Sequence, residues 1–120
     1  MATAILKATD LAATIDWYTS IGFELRGRLP ESGSPTWCEL GRDDTTLQFL
    51  AGATPWNGPP AFTGTFYVHP PSVTVLYDQI KERATVEWGP EVREWGQREV
   101  GRRDPNGYFI TFTEAVGDRS

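Results

Sequence analysis

Cysteine and histidine are almost missing from this chain, which holds one of each, Cys38 and His69. A lone cysteine excludes an internal disulfide and fits a reducing compartment. Lying in an alternating apolar run, Cys38 reads as a small buried hydrophobe rather than a catalytic thiol. His69 precedes Pro70-Pro71 and reads as a surface or turn histidine; with no second imidazole, a histidine-based metal cluster has no partner. Long apolar runs are missing too. Nothing approaches membrane-spanning length, and Met1-Ala2-Thr3-Ala4-Ile5-Leu6-Lys7 lacks the apolar core of a signal peptide, so a soluble cytoplasmic protein with no membrane partner is expected. Basic residues are outnumbered, 11 against 16 acidic, for a net charge of −5 and a pI near 4.8. The excess is spread over both halves of the chain, which disfavours nucleic acid and favours a cationic ligand. Catalytic signatures are equally scarce: there is no Gly-x-Ser-x-Gly, no Cys/His pair and no convincing carboxylate pair. Gly96 and Gly101 lie too far from a strand-to-helix turn to cradle phosphate.

What is present suits a single globular domain over residues 1–120, with 39% hydrophobic and 22% charged residues. Five tryptophans exceed what packing alone usually needs, which points some of them at a ligand or a partner.

Taken in order, Thr3 to Ala8 reads as a strand. Asp10 caps a helix whose apolar residues Leu11, Ile15 and Tyr18 share one face, with Gly22 closing it. Strands follow at Phe23 to Leu29, Thr36 to Leu40 and Thr45 to Leu50, the last two joined by a turn at Gly41-Arg42-Asp43-Asp44. Ala51 to Thr63 is a Pro-rich connection of functional length, and Trp56 and Phe62 would be wasted in a mere linker. The order then restarts. Gly64 to His69 is a strand, and Ser72 caps a helix bearing Val73, Leu76, Tyr77 and Ile80. Val86 to Trp88 is a short strand, and Glu94 to Phe112 forms a hairpin around Asp104-Pro105-Asn106-Gly107. In that turn Pro105 sets φ, Asp104 bonds the backbone ahead and Gly107 accepts a positive φ. Arg102-Arg103-Asp104 reads as local turn contacts, with an anion clamp as the lesser reading.

The caps Asp10 and Ser72, and the final-strand residues Gln48 and Thr111, recur at nearly one offset. Element order and spacing therefore predict an α+β fold of two βαβββ modules, about 3–50 and 64–114. Each module leaves one sheet face open, and two such faces curl into a small-molecule cleft. Gln48 and Thr111, polar between apolar neighbours, are placed inside it. Trp37, Trp56, Phe62 and Trp95 lie where they would rim it, whereas Trp17, Tyr18, Tyr77, Phe49 and Phe112 fall at core periods. Glu39 reads either as a cleft carboxylate or as an exposed strand residue. Aromatic stacking beside acidic groups suits a planar cation.

The duplication, Trp17-Tyr18-Thr19-Ser20-Ile21-Gly22-Phe23 and Trp95-Gly96-Gln97-Arg98-Glu99 before Asp104-Pro105-Asn106-Gly107 together resemble the vicinal oxygen chelate superfamily, from about Thr3 to Glu114. That superfamily includes glyoxalase I, extradiol dioxygenases, fosfomycin-resistance enzymes and bleomycin-resistance proteins. The resemblance is greatest to the last. It implies a homodimer with exchanged modules that sequesters a flat cationic drug, with Trp95 stacking on it, and no cofactor.

Enzymes of the superfamily carry metal-binding His and Glu at positions that correspond to Thr3, Gln48, Gly64 or Thr65, and Thr111. None of these is His, Asp or Glu, so no metal ligand and no catalytic residue is assigned. The alternative is a metal-dependent lyase, transferase or dioxygenase with displaced ligands. A third reading is an interaction module whose cleft is filled by its own side chains.

Overall fold

The computed structural model describes residues 4–52, 59–62, 64–82, 86–93 and 96–116. Module one comprises β1 (Ala4–Ala8), α1 (Leu11–Ser20), β2 (Glu24–Leu29), β3 (Trp37–Arg42) and β4 (Thr45–Ala51). Module two repeats the order with β5 (Thr65–Val68), α2 (Val73–Ile80), β6 (Val86–Val92), β7 (Gln97–Arg103) and β8 (Phe109–Ala115). Each forms a four-stranded sheet of equivalent order, β1-β4-β3-β2 and β5-β8-β7-β6. In both, the first strand runs parallel to the last and the remaining pairs are antiparallel. The two βαβββ modules inferred from the sequence are therefore present.

Both helices begin where short polar side chains satisfy the backbone. Asp10 accepts from the Ala13 N–H at 3.0 Å, and Ser72 accepts from Val75 at 3.2 Å. Leu11, Ile15 and Tyr18 on α1, and Val73, Leu76 and Ile80 on α2, are buried against their sheets, as the helical spacing requires. Strand alternation then divides each sheet. Cys38, Leu40, Leu47 and Phe49 enter the core beneath α1, and Val68, Val100, Ile110 and Phe112 enter it in module two. Among the described residues, no helix covers the opposite faces.

Several boundaries move. β3 extends through Gly41 and Arg42, leaving Asp43-Asp44 as the hairpin loop, with Asp43 at φ +52°. An aspartate tolerates this left-handed conformation better than most residues. β6 is longer than the sequence suggests because two register irregularities let it follow β7 as far as Val92.

The modules are joined by the turn at residues 104–107. Asp104 is 4% exposed. Its Oδ1 accepts from the backbone N–H groups of Asn106 and Tyr108, both at 2.8 Å, and its Oδ2 accepts from the Tyr18 hydroxyl at 2.8 Å. Gly107 completes the turn at φ +92°. Asn106 reaches module one twice, accepting from the Thr9 N–H and donating to Thr14 Oγ1, and the Tyr108 hydroxyl donates to the Lys7 carbonyl. Asp104 thus makes the local turn contacts expected of it and also bonds across the modules, which the sequence reading of Arg102-Arg103-Asp104 did not include. Arg102 departs from that reading: it is fully buried on the α2 side of β7, with its guanidinium 6.0 Å from the Tyr77 ring centroid.

Burial raises the Asp104 pKa above the usual carboxylate value, against the opposing pull of the hydrogen bonds from Tyr18, Tyr108 and Asn106. A carboxyl raised in the folded state favours folding below its unfolded pKa, and that contribution is lost as pH rises through the folded value. Asp104→Asn should flatten this part of the pH–stability curve in urea melts. A decline equal to that of the wild type would reject the assignment. Tyr18→Phe leaves one carboxylate oxygen without its donor and should cost about 1–3 kcal/mol; an unchanged melt would show that the hydroxyl contributes nothing. Burial also pushes the Cys38 thiol up to about 11. An aromatic disulfide reagent should therefore titrate Cys38 only after unfolding, and rapid reaction of the native protein at neutral pH would contradict the burial.

Candidate functional site

The open face of the second sheet carries a cavity of about 610 Å³, lined by Tyr67, His69, Gln97, Glu99, Thr113 and Ala115. Strand register brings these side chains together. Gln97 and Glu99 point the same way from β7, and they pair with Ala115 and Thr113 on β8. Tyr67, 45% exposed, projects from β5 on the same face.

Glu99 is the buried charge of the site, 2% exposed. Its carboxylate accepts from the Thr113 hydroxyl at 3.3 Å and lies 3.8 Å from Arg93 Nε. The same hydroxyl lies 2.9 Å from Gln97 Oε1, so it donates between two acceptors. A buried carboxylate held by a hydroxyl and a guanidinium is a fixed, oriented acceptor.

His69 enters the cavity from the end of β5. Its Nδ1 lies 2.8 Å from Asp44 Oδ2, and its backbone N–H donates to Asp44 Oδ1 at 3.2 Å. Asp44 belongs to the β3–β4 loop of module one, so this contact also bridges the modules. Slight desolvation raises the Asp44 pKa, but the hydrogen bonds and charge of His69 and the Thr45 hydroxyl outweigh it and leave the pKa lowered.

Among the residues picked out from the sequence, Trp37 and Gln48 come together on the open face of the first sheet. Trp37 Nε1 donates to Gln48 Oε1 at 3.3 Å, and Gln48 Nε2 donates to Glu39 Oε1 at 3.0 Å. Thr111 lies on the open face of the second sheet, fully buried, with its Oγ1 2.7 Å from Thr65 Oγ1. Phe62 stacks on Phe66 with ring centroids 4.6 Å apart, on a residue that packs towards the core. Trp56 and Trp95 lie outside the described residues.

None of the six cavity-lining residues was picked out from the sequence as a site. Thr113 and Ala115 share the strand parity of Thr111, a signal that could have been followed. Glu99 and Tyr67 become neighbours of those residues only through register and sheet order. Trp88 was also passed over: its ring covers Gly101 so closely that a Cβ there would lie 2.3 Å from it, and it packs near Phe109 with ring centroids 5.8 Å apart.

Of the positions that the resemblance matches to metal ligands, Thr3 lies outside the described residues, and Gln48, Thr65 and Thr111 do not suit a divalent ion. Gln48 is engaged by Trp37 and Glu39, and Thr65 and Thr111 bond each other. Neutral amides and hydroxyls hold such ions weakly. Among the described residues, no three His, Cys, Asp or Glu side chains converge as a metal-binding group, and no helix is long and apolar enough to cross a membrane.

Solved structures share this architecture. TioX from Micromonospora sp. ML1 superposes with a TM-score of 0.76 at 21% identity, covering 95% of this chain and 97% of its own. A bleomycin-binding protein in complex with bleomycin gives 0.71 at 24% identity, covering 98% of each chain. A bleomycin resistance determinant encoded on the transposon Tn5 gives 0.72 at 23% identity, with 96% and 97% covered. Identities this low establish the fold alone. No curated protein sequence matches. The family match spans residues 2–112, and with the duplicated modules described above it shows that the chain belongs to the Glyoxalase/Bleomycin resistance protein/Dioxygenase superfamily.

Proposed function

We propose that this protein is a non-catalytic small-molecule binder of the bleomycin-resistance type, which sequesters a planar cationic ligand in a cleft completed by a second copy of the chain. The observation that carries the reading is Glu99, a buried carboxylate in the wall of a cavity of about 610 Å³. Such a group offers a cation a strong charge-assisted contact in a partly desolvated setting. The volume falls within the usual range for small-molecule sites. Tyr67 on the cavity wall and Trp37 on the other open face supply aromatic surface, and Trp95 takes the stacking role implied by the family resemblance.

The shape of the chain supports the dimer in this reading. The radius of gyration is 15.0 Å and the longest extent 49 Å, whereas a compact chain of this length has a radius of about 13–14 Å. The modules therefore lie extended, and Trp37, Glu39 and Gln48 are not among the residues that line the cavity. A second copy laying its first module over that cavity would bring both open faces into one cleft, giving two equivalent sites per dimer.

The test is a titration of metal-free bleomycin and a panel of planar cations against intrinsic tryptophan fluorescence, with sedimentation to fix the oligomeric state. Glu99→Gln should weaken a cationic ligand about tenfold or more, about 1.4 kcal/mol, while leaving neutral planar compounds little changed. Trp95→Ala should weaken both kinds. A divalent ion retained stoichiometrically through dialysis, or the absence of any saturable response across the panel, would reject the proposal.

A further inference from the structure

Thr113 ties the two polar side chains of β7 together. Its hydroxyl, on a residue only 3% exposed, lies 2.9 Å from Gln97 Oε1 and 3.3 Å from Glu99 Oε2, and it has one proton to give. The shorter contact fixes the Gln97 amide with its oxygen towards Thr113. The nitrogen is the other end of that group, and it can only donate. Nothing among the described residues accepts from Gln97 Nε2, and that atom is not enclosed, so its protons meet solvent where Gln97 lines the cavity. Glu99, next on the same face of β7, has the opposite property, because an ionised carboxylate only accepts and has room for about four hydrogen bonds. One wall therefore carries a donor and an acceptor side by side, held in that order by a hydroxyl from β8.

We propose that Gln97 is a specificity-determining residue of the cleft and that, with Glu99, it reads the edge of a primary carboxamide on the planar ligand: the ligand's amide N–H donates to the Glu99 carboxylate, and its carbonyl oxygen accepts from Gln97 Nε2. Thr113 is the positioning residue that sets which end of the Gln97 amide meets the ligand. The inference rests on the proposed role of this cavity as the ligand site, and it narrows the class of ligand. A carboxamide carries its N–H and C=O on one carbon in one plane, so both contacts form with little further loss of freedom. A positive charge on the attached ring adds attraction to Glu99. A ring without the carboxamide covers the Gln97 protons and gives them no acceptor, and a site built on hydrogen bonds discriminates by that loss. Were the amide turned, with Nε2 on Thr113, Oε1 would stand beside Glu99 and the wall would present two acceptors, which suits an amidinium instead.

Matched pairs of small probes test this by calorimetric titration of the full chain. The cationic pair is the N-methylpyridinium ion and its carboxamide-bearing counterpart, the methylnicotinamide cation; the neutral pair is pyridine and nicotinamide. In each pair the carboxamide should raise wild-type affinity about tenfold. Gln97→Leu removes the donor, and the preference should fall to about twofold or less. Thr113→Val keeps the shape of the side chain but frees the Gln97 amide, so it should shrink the preference, and Thr113→Ser should restore it. Glu99→Gln should weaken both cations while the ratio between them persists, because the charge is lost and an acceptor remains. A wild-type ratio near one, an unchanged ratio in Gln97→Leu, or tighter binding of benzamidinium than of the methylnicotinamide cation would overturn the inference. The neutral pair separates this from the ligand class proposed above. If the cations fail to bind and nicotinamide is still preferred to pyridine, the cationic reading falls and the role of Gln97 stands. If none of the four probes binds, both are rejected.

Discussion

The buried carboxylate of Asp104 is the contact on which the two halves of the molecule depend. Alone, a four-stranded sheet with one helix covers a single face and has little core of its own. Here the apolar residues of both modules form one continuous cluster, with Tyr18, Phe49 and Tyr108 packed where the modules meet. Asp104 fixes that meeting by shaping its own turn through two backbone N–H groups and binding the α1 tyrosine of the other module through its remaining oxygen. If the modules separated, the Tyr18 hydroxyl would lose its acceptor, while the two backbone donors, which belong to the same turn as Asp104, would keep theirs. The turn is thus both the end of a hairpin and the joint of the protein.

Holding the modules at this joint leaves both open sheet faces available, and their chemistry differs. The first carries a closed chain of neutral and acidic groups, with Trp37 bonded to Gln48 and Gln48 to Glu39. The second has Trp88 and Phe109 packed at one end and Tyr67, Glu99 and Thr113 around a cavity at the other. A second bridge, Asp44 to His69, joins the modules beside that cavity. Structural and binding roles therefore meet in the same region, and the geometry of the cleft depends on how the halves are joined.

Much of the fold was legible because it is encoded locally. Asp10 and Ser72 cap helices through their own side chains, and Leu11, Ile15 and Tyr18 recur at helical spacing. Asp104-Pro105-Asn106-Gly107 states its turn in four residues. Boundaries were less legible where pairing overrides propensity: β6 continues past Gly89-Pro90 because its register with β7 shifts to accommodate them. Arg102 was misread as a turn residue because strand alternation sends it beneath α2, where Tyr77 lies against it.

The sequence by itself determined the duplicated architecture, the two caps and the parity of Gln48 and Thr111. These follow from short-range periodicity and from residue identity at corresponding positions. Only the tertiary structure decided which residues share the cavity. Glu99 gains Thr113 as a neighbour through strand pairing, and His69 gains Asp44 across 25 positions of chain through the joining of the modules. Pairing register and module docking are long-range packing outcomes, and neither is visible from the identity of the residues that they bring together.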